Sequence, residues 1–285
     1  MKKKILLLAL AAILLALLIW SLWGNKALEV NTYTVAYDHL PAAFRGYRIA
    51  QVSDLHNDEI GKGNERLLFA LRQANPDLIA ITGDLIDSRN TNVEIALQFA
   101  REAVKIAPCY YVSGNHEARV SEYAQLKEGL LELGVIMLED GEIILEREGE
   151  TLSLLGVADP SFVTDYLFGD SEEVMDAKLQ SLAKDASFTI LLSHRPELMD
   201  VYARHGIDLV LSGHAHGGQF RLPFVGGLVA PNQGLFPEYD SGLYAEGNTQ
   251  MIVSRGIGNS IIPLRINNRP ELVIAELKVS VGFSE

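Results

Sequence analysis

One cysteine among 285 residues, Cys109, rules out an intrachain disulfide. Its place in an apolar run predicts a buried structural thiol rather than a nucleophile. Tryptophan is nearly as scarce, with only Trp20 and Trp23 present. No internal repeat, low-complexity tract or Ser/Gly-rich interior linker occurs, which excludes a solenoid or a string of tethered modules. Positive charge is also short: 24 Lys and Arg face 37 Asp and Glu, a net charge of −13. Four of the lysines and none of the acids precede residue 27, so residues 27–285 stand at −17, 20 bases against 37 acids. Such a surface repels polyanions, and a long nucleic acid is disfavoured as a partner. Apolar residues make up 48% of the chain, too many for a disordered protein.

Charge is missing altogether between Ile5 and Trp23. As a helix this stretch would run roughly 28 Å at about 1.5 Å per residue, close to the thickness of a bilayer core. Lys2, Lys3 and Lys4 precede it and the two tryptophans close it, a pattern that predicts a single-pass anchor with its N-terminus in the cytoplasm. The expectation is therefore a cell-membrane protein with residues 27–285 on the extracytoplasmic side. A cleaved signal peptide is the rival reading, but residues 21–27 offer no good A-x-A-like cut site. The chain divides accordingly into residues 1–26, an anchor or signal sequence, and residues 27–285, a single domain.

Short apolar runs in that domain repeatedly end in residues that can bind a metal. Tyr47–Val52 leads into Asp54 and His56, and Asp77–Thr82 into Gly83-Asp84. Cys109–Val112 leads into Gly114-Asn115-His116-Glu117, Phe188–Leu192 into His194, and Leu209–Leu211 into Gly213-His214-Ala215-His216. Helical periodicity fills several of the intervals, over 64–74, 92–106 and 121–133. Strand, polar tip and helix in succession predict an α/β fold whose ligands gather at the C-terminal ends of its strands. Val30–Tyr37 alternates apolar and polar residues and reads as an antiparallel edge strand or hairpin arm; 141–157 reads as a hairpin. Taken singly, D-x-H or G-H-A-H has bland explanations as a turn or a solvated surface, but five such endings in one chain point to a metal site.

The series Asp54-x-His56, Gly83-Asp84, Gly114-Asn115-His116-Glu117, His194 and Gly213-His214-x-His216 resembles the full motif set of the calcineurin-like metallophosphoesterases. Likeness in 40–56 and 254–271 extends the resemblance to the membrane-anchored or exported bacterial branch, over roughly residues 30–278. It implies a two-sheet β-sandwich flanked by helices, here preceded by one transmembrane helix. It also implies two divalent metal ions, with Asp54, His56 and His216 on one, Asn115, His194 and His214 on the other, and Asp84 bridging them. The donor set suits Mn, Fe or Zn without choosing among them. His116 would serve the leaving oxygen. Glu117 would orient a histidine without being a ligand, while His39 and His205 lie outside every motif.

Such a site implies a hydrolase of phosphoester bonds, a phosphodiesterase or pyrophosphatase acting on a small or lipid-linked substrate. A membrane-tethered phosphoprotein phosphatase and a non-catalytic metal-binding scaffold of the same fold are the competing readings; no feature points to a protein partner. Arg195, Asn232 and Arg255, with Asn259, are the candidate substrate contacts, each near the motifs or in a Gly- and Pro-rich loop. Residues 217–237, rich in glycine and exposed-type apolar residues, read as a hairpin and a lid.

Overall fold

A computed structural model describes residues 2–164, 170–182, 187–259 and 263–280, with the side chains of residues 13, 14 and 17 left aside. Residues 260–262, within the stretch that carried part of the family likeness, lie outside the described residues.

Two six-stranded sheets stack face to face. The first has the order Glu29–Tyr37, Glu271–Val279, Arg48–Val52, Leu78–Thr82, Cys109–Val112, Ile136–Met137. The second has the order Gly242–Glu246, Thr249–Val253, Leu209–Ser212, Thr189–Leu192, Glu150–Gly156, Gly141–Arg147. Between them lies one apolar layer that includes Ile49, Leu78, Val112, Leu154, Ile190, Leu211 and Val273. Helices Glu65–Ala74, Val93–Ala103 and Tyr123–Glu132 cover the outer face of the first sheet, through Leu67, Phe99 and Leu130 among others. Ser171–Leu182 and Met199–Arg204 cover the second through Met175, Leu179 and Tyr202. Central strands buried on both faces explain why they appear in the sequence as continuous apolar runs rather than as an alternation.

The expected sandwich with flanking helices is thus present, and 141–157 forms the expected antiparallel hairpin. Glu29–Tyr37 is an edge strand as expected, but it pairs in parallel with Glu271–Val279 rather than antiparallel to a neighbour in sequence. The C-terminal strand fills the slot between the first strand and Arg48–Val52, antiparallel to the latter. No local pattern announces a partner 242 residues away in the sequence, as Glu29 and Glu271 are.

The N-terminal segment is helical from Lys2 to Gly24. As a transmembrane span, however, the expectation is not met: among the described residues no helix is long and apolar enough to cross a membrane. Its base is fastened to the domain. Ser21 Oγ donates to the Arg265 carbonyl at 3.0 Å, and Asn25 Oδ1 accepts the Arg265 backbone N–H at 2.9 Å.

Candidate metal centre

Arg48–Val52, Leu78–Thr82 and Cys109–Val112 run parallel, as do Glu150–Gly156, Thr189–Leu192, Leu209–Ser212 and Thr249–Val253 in the other sheet. Their C-terminal ends therefore share one rim of the sandwich. Backbone hydrogen bonds continue beyond the strands and knit the tips together. Asp54 N–H donates to Gly83 O at 3.0 Å, His56 N–H to Asp84 O at 3.0 Å, and Gly213 N–H to His194 O at 3.3 Å. From the C-terminal segment, Gly258 N–H reaches Asp54 O at 2.7 Å, and Glu271 N–H holds Gly256 O at 3.1 Å.

At this rim the chain turns so sharply that Asp54, His56, Asp84, His214 and His216 all take positive φ, between 48° and 66°. Such backbone is unfavourable for residues other than glycine, by roughly 1–3 kcal/mol each, and persists where surrounding structure enforces it. Glycine supplies the remaining clearance. A Cβ on Gly114 would sit 2.2 Å from Asp84 Oδ1, and one on Gly213 would sit 1.9 Å from Ser53 Oγ.

The result is a buried array of carboxylates and imidazoles in two adjoining groups, Asp54–His56–His216 and Asp84–His194–His214, with a third set, His56–Asp87–His116, sharing His56 with the first. His56 Nε2 lies 3.1 Å from His216 Nε2, and Asp54 Oδ1 lies 3.3 Å from the latter. Asp84 Oδ2 stands between the groups, 3.2 Å from His194 Nε2 and 3.5 Å from His56 Nε2. His194 Nδ1 is 2.7 Å from the Thr82 carbonyl, so Nδ1–H donates there and Nε2 is the buried nitrogen turned toward Asp84, the one a cation would take in place of a proton. Asn115 Oδ1 is a buried acceptor with no hydrogen-bond partner among the described residues. Buried lone pairs facing no donor are costly, and a cation would satisfy them. These residues fit hard or borderline divalent ions, since the donors are carboxylate, amide oxygen and imidazole with no thiolate.

Electrostatics agree. Burial works against charge at every one of these groups, yet the opposing His194 and the other imidazoles hold the Asp84 carboxyl well below the usual range. The same attraction acts in reverse on His194: burial opposes its charge, but Asp84 pushes it up to about 10. A site that drives an imidazole to keep its proton is one short of positive charge. At His214 and His116 burial wins instead, pushing both down to about 4.

Three carboxylates that the sequence did not single out, or that it assigned a different role, shape this arrangement. Glu117 is fully buried and accepts backbone N–H groups from Asp84 at 2.9 Å, Gly114 at 2.8 Å and Ile86 at 3.2 Å. It orients the backbone that carries Asp84, not a histidine as expected. Asp87 lies 3.8 Å from His56 Nδ1 and is paired with Arg89. Asp159 holds Arg195 in a two-pronged ion pair, Nε to Oδ2 at 2.5 Å and Nη2 to Oδ1 at 2.8 Å. A second Asp three residues after Gly83-Asp84 was the available signal for Asp87; nothing local marks Asp159.

A comparison with protein families matches residues 47–218 to the calcineurin-like phosphoesterase model. The chain belongs to that family. The Bacillus subtilis metallophosphoesterase YkuE is 31% identical over 262 residues, covering 88% of this chain and 86% of that protein. The Escherichia coli phosphodiesterase YaeI is 27% identical over 237 residues, covering 81% and 82%. A Danio rerio transmembrane protein with a metallophosphoesterase domain is 28% identical, covering 88% of this chain and 57% of its own. Among solved structures, Thermus thermophilus TT1561 superimposes with a TM-score of 0.52 at 16% identity, over 74% of this chain and 90% of that one, a likeness of fold. As a member of the family this chain is a phosphoester hydrolase.

Within this metallophosphoesterase, His116 stands beside the array. Its Nδ1 accepts from the Ser88 backbone N–H at 3.0 Å, and its Nε2 is 4.0 Å from Asp84 Oδ2. Of the three residues expected to touch substrate, Asn232 is exposed beside the site, Arg255 is half-buried and Arg195 is buried. Arg195 is buried, and its Nη1 donates to Asn232 Oδ1 at 2.9 Å. That same oxygen is 2.9 Å from His214 Nε2, so Arg195 and Asn232 hold a histidine. Arg255 is drawn away to Glu29, at 2.9 Å. His39 and His205 are outside the site, beside Asp208 and Asp176. Cys109 is buried without a bridging partner, its thiol pushed up to about 12 by burial.

The stretch 217–237 forms two minimal hairpins, Arg221–Leu222 with Gly226–Gly227 and Val229–Ala230 with Gly234–Leu235. Asp240 pins the first by accepting the Gly227 N–H at 2.5 Å.

Proposed function

We propose that this enzyme is a dinuclear-metal phosphodiesterase or pyrophosphatase acting on a small or lipid-linked substrate, and that its N-terminal helix keeps it at a membrane. The observation that carries the dinuclear reading is the position of Asp84 Oδ2, within 3.5 Å of an imidazole nitrogen from each of the two ligand groups. A carboxylate so placed suits a bridge between like-charged ions. On this reading Asp54, His56 and His216 hold one ion and Asn115, His194 and His214 the other, with Mn, Fe or Zn compatible. Bound there, the ions would supply Lewis acidity toward a phosphoryl group and lower the pKa of water.

The chain's own residues do the rest. Because His116 Nδ1 accepts from Ser88 N–H, the neutral imidazole carries its proton on Nε2, the nitrogen on the Asp84 side. That proton is positioned for the departing alkoxide or phosphate oxygen. Thr82 O fixes the tautomer of His194, and Asn232 Oδ1 takes the Nε2–H of His214, so each presents a lone pair inward. Membrane residence is supported by exposed apolar side chains along the described helix, including Leu6, Leu8, Leu15 and Leu18, and by the lysines before it.

The test is hydrolysis of a chromogenic phosphodiester by the full chain with added Mn. Activity lost together with metal in Asp84→Asn supports the proposal. No turnover above that control with any divalent ion refutes it.

A further inference from the structure

Beside the base of the N-terminal helix, and lined by none of the metal-site carboxylates or histidines, is a cavity of about 390 Å³. Trp20, Trp23, Arg221, Arg255, Arg265 and Arg269 line it. Its volume falls in the range of small-molecule sites, and its charge runs against the rest of the protein. Four guanidiniums meet one lining carboxylate, Glu29, a local +3 in a chain of net −13.

These arginines are held in place without being used up. Glu29 takes Arg255 Nη1 and Arg269 Nη1, each at 2.9 Å, and Asp240 takes Arg221 Nη1 at 3.0 Å. Arg265 is buried and donates to the carbonyls of Arg255 and Gly258. A guanidinium has five N–H donors, and the Nε atoms of both Arg255 and Arg265 are buried with no partner among the described residues. Preorganised, partly unsatisfied guanidiniums around a void are suited to an oxyanion with several acceptors, above all a phosphate.

The frame of the cavity selects the kind of phosphate. On one side are Trp20 and Trp23, about half exposed at the end of an apolar helix; Arg269 lies over the Trp23 ring at 5.1 Å. On the other, Arg221 leads straight into Leu222-Pro223-Phe224-Val225, where Phe224 is fully exposed and Leu222 and Val225 are exposed. A free polar ion gains nothing from such surroundings. A headgroup attached to acyl chains does, because amphipathic indoles favour the bilayer interface and juxtamembrane arginines favour anionic lipid.

We infer that the arginine cavity between the N-terminal helix and the 221–225 loop binds the phosphate headgroup of an anionic phospholipid. It is a lipid site separate from the metal centre, and the inference rests on the proposed membrane anchor. Arg265, whose Nη2 lies 3.5 Å from His216 Nδ1, is the residue the two sites share.

The protein carries its own reporter, since its only two tryptophans both line this cavity. Full-length protein in a neutral detergent is titrated with phosphatidylglycerol, with diacylglycerol of the same acyl chains, and with glycerol 3-phosphate, following tryptophan emission. Phosphatidylglycerol should give a saturable change at a mole fraction at least about tenfold below that of diacylglycerol, and millimolar glycerol 3-phosphate should neither reproduce nor reverse it. Asn267→Asp adds a carboxylate at the lining while removing no guanidinium, and should raise the half-saturation point at least fivefold with emission in detergent alone unchanged. Arg269→Gln, which loses one guanidinium, should do the same. Equal responses to the two lipids would overturn the site as mere apolar partitioning, and competition by glycerol 3-phosphate would overturn the lipid assignment in favour of a free phosphate. No turnover enters the measurement, so its failure leaves the hydrolase reading standing. Release of the protein from membranes by alkali would defeat the anchor reading independently.

Discussion

Removing Asp159 separates what holds this protein together from what holds its metal site. Arg195 is almost wholly buried, and the two-pronged pair with Asp159 is its main compensation. Truncating one member of such a pair leaves the other charge stranded, which costs about 3–5 kcal/mol. A separate route gives a similar scale: burial opposes ionisation of Asp159, but Arg195 outweighs it and holds the carboxyl down from 3.8 to about 2. That depression corresponds to roughly 2.5 kcal/mol of pH-linked stability. The sign follows from a lowered pKa: the contribution is complete above about pH 4 and disappears as the pH falls toward about 2. Asp159→Ala should therefore lower urea stability at pH 7 by about 3–5 kcal/mol, and its deficit relative to wild type should shrink in acid. Asp159→Leu with Arg195→Met, which removes both charges, should recover most of the loss. The same double variant takes from Asn232 the guanidinium that positions it against His214, so its metal affinity should drop at least about tenfold. Urea unfolding and metal titration on the three proteins decide the matter. An Asp159→Ala protein within about 1 kcal/mol of wild type would refute the energetic reasoning, and a double variant with wild-type metal affinity would refute the link from Arg195 to His214.

His116→Ala should keep two metals per chain while kcat on an activated diester falls about 10²–10⁴-fold; metal analysis showing a stripped protein would make His116 a ligand instead. Gly114→Ala should fold yet bind metal poorly, because its methyl would stand 2.2 Å from Asp84 Oδ1; wild-type metal content would show that the loop yields. Carbonate extraction of membranes from cells making the full chain should leave the protein in the pellet, and an export-dependent reporter fused after Glu285 should be active. Activity of a cytoplasm-only reporter at that position would reverse the orientation.

Residues at strand ends were legible in the sequence because a parallel sheet buried on both faces writes its strands as unbroken apolar runs, and the polar residues that interrupt them stand out. Asp54, His56, Asp84, Asn115, His194, His214 and His216 are brought together at one rim for that reason. Their supporting residues were illegible for an equally physical reason. Asp159 lies in the turn after a different strand from Arg195, so its partner is a matter of tertiary folding. Glu117 was visible as a neighbour of His116, but its task, gathering three backbone N–H groups, depends on how two loops approach each other. The arginine cavity escaped notice because its four guanidiniums come from 221 through 269 and meet the tryptophans only once the first and last strands lie side by side.

That side-by-side arrangement also sets a timetable. The most C-terminal strand among the described residues, Glu271–Val279, is the one that joins Glu29–Tyr37 to the rest of the first sheet, and the segment before it supplies the Gly258 N–H that steadies Asp54. A nascent chain can have every imidazole and carboxylate of the site already synthesised while Glu29–Tyr37 still has no strand to pair with. Closure over such a sequence separation is slow, and it cannot begin before the final strand is free to enter its slot. A ribosome stalled before that strand emerges would display the ligand residues while Glu29–Tyr37 still has no neighbouring strand.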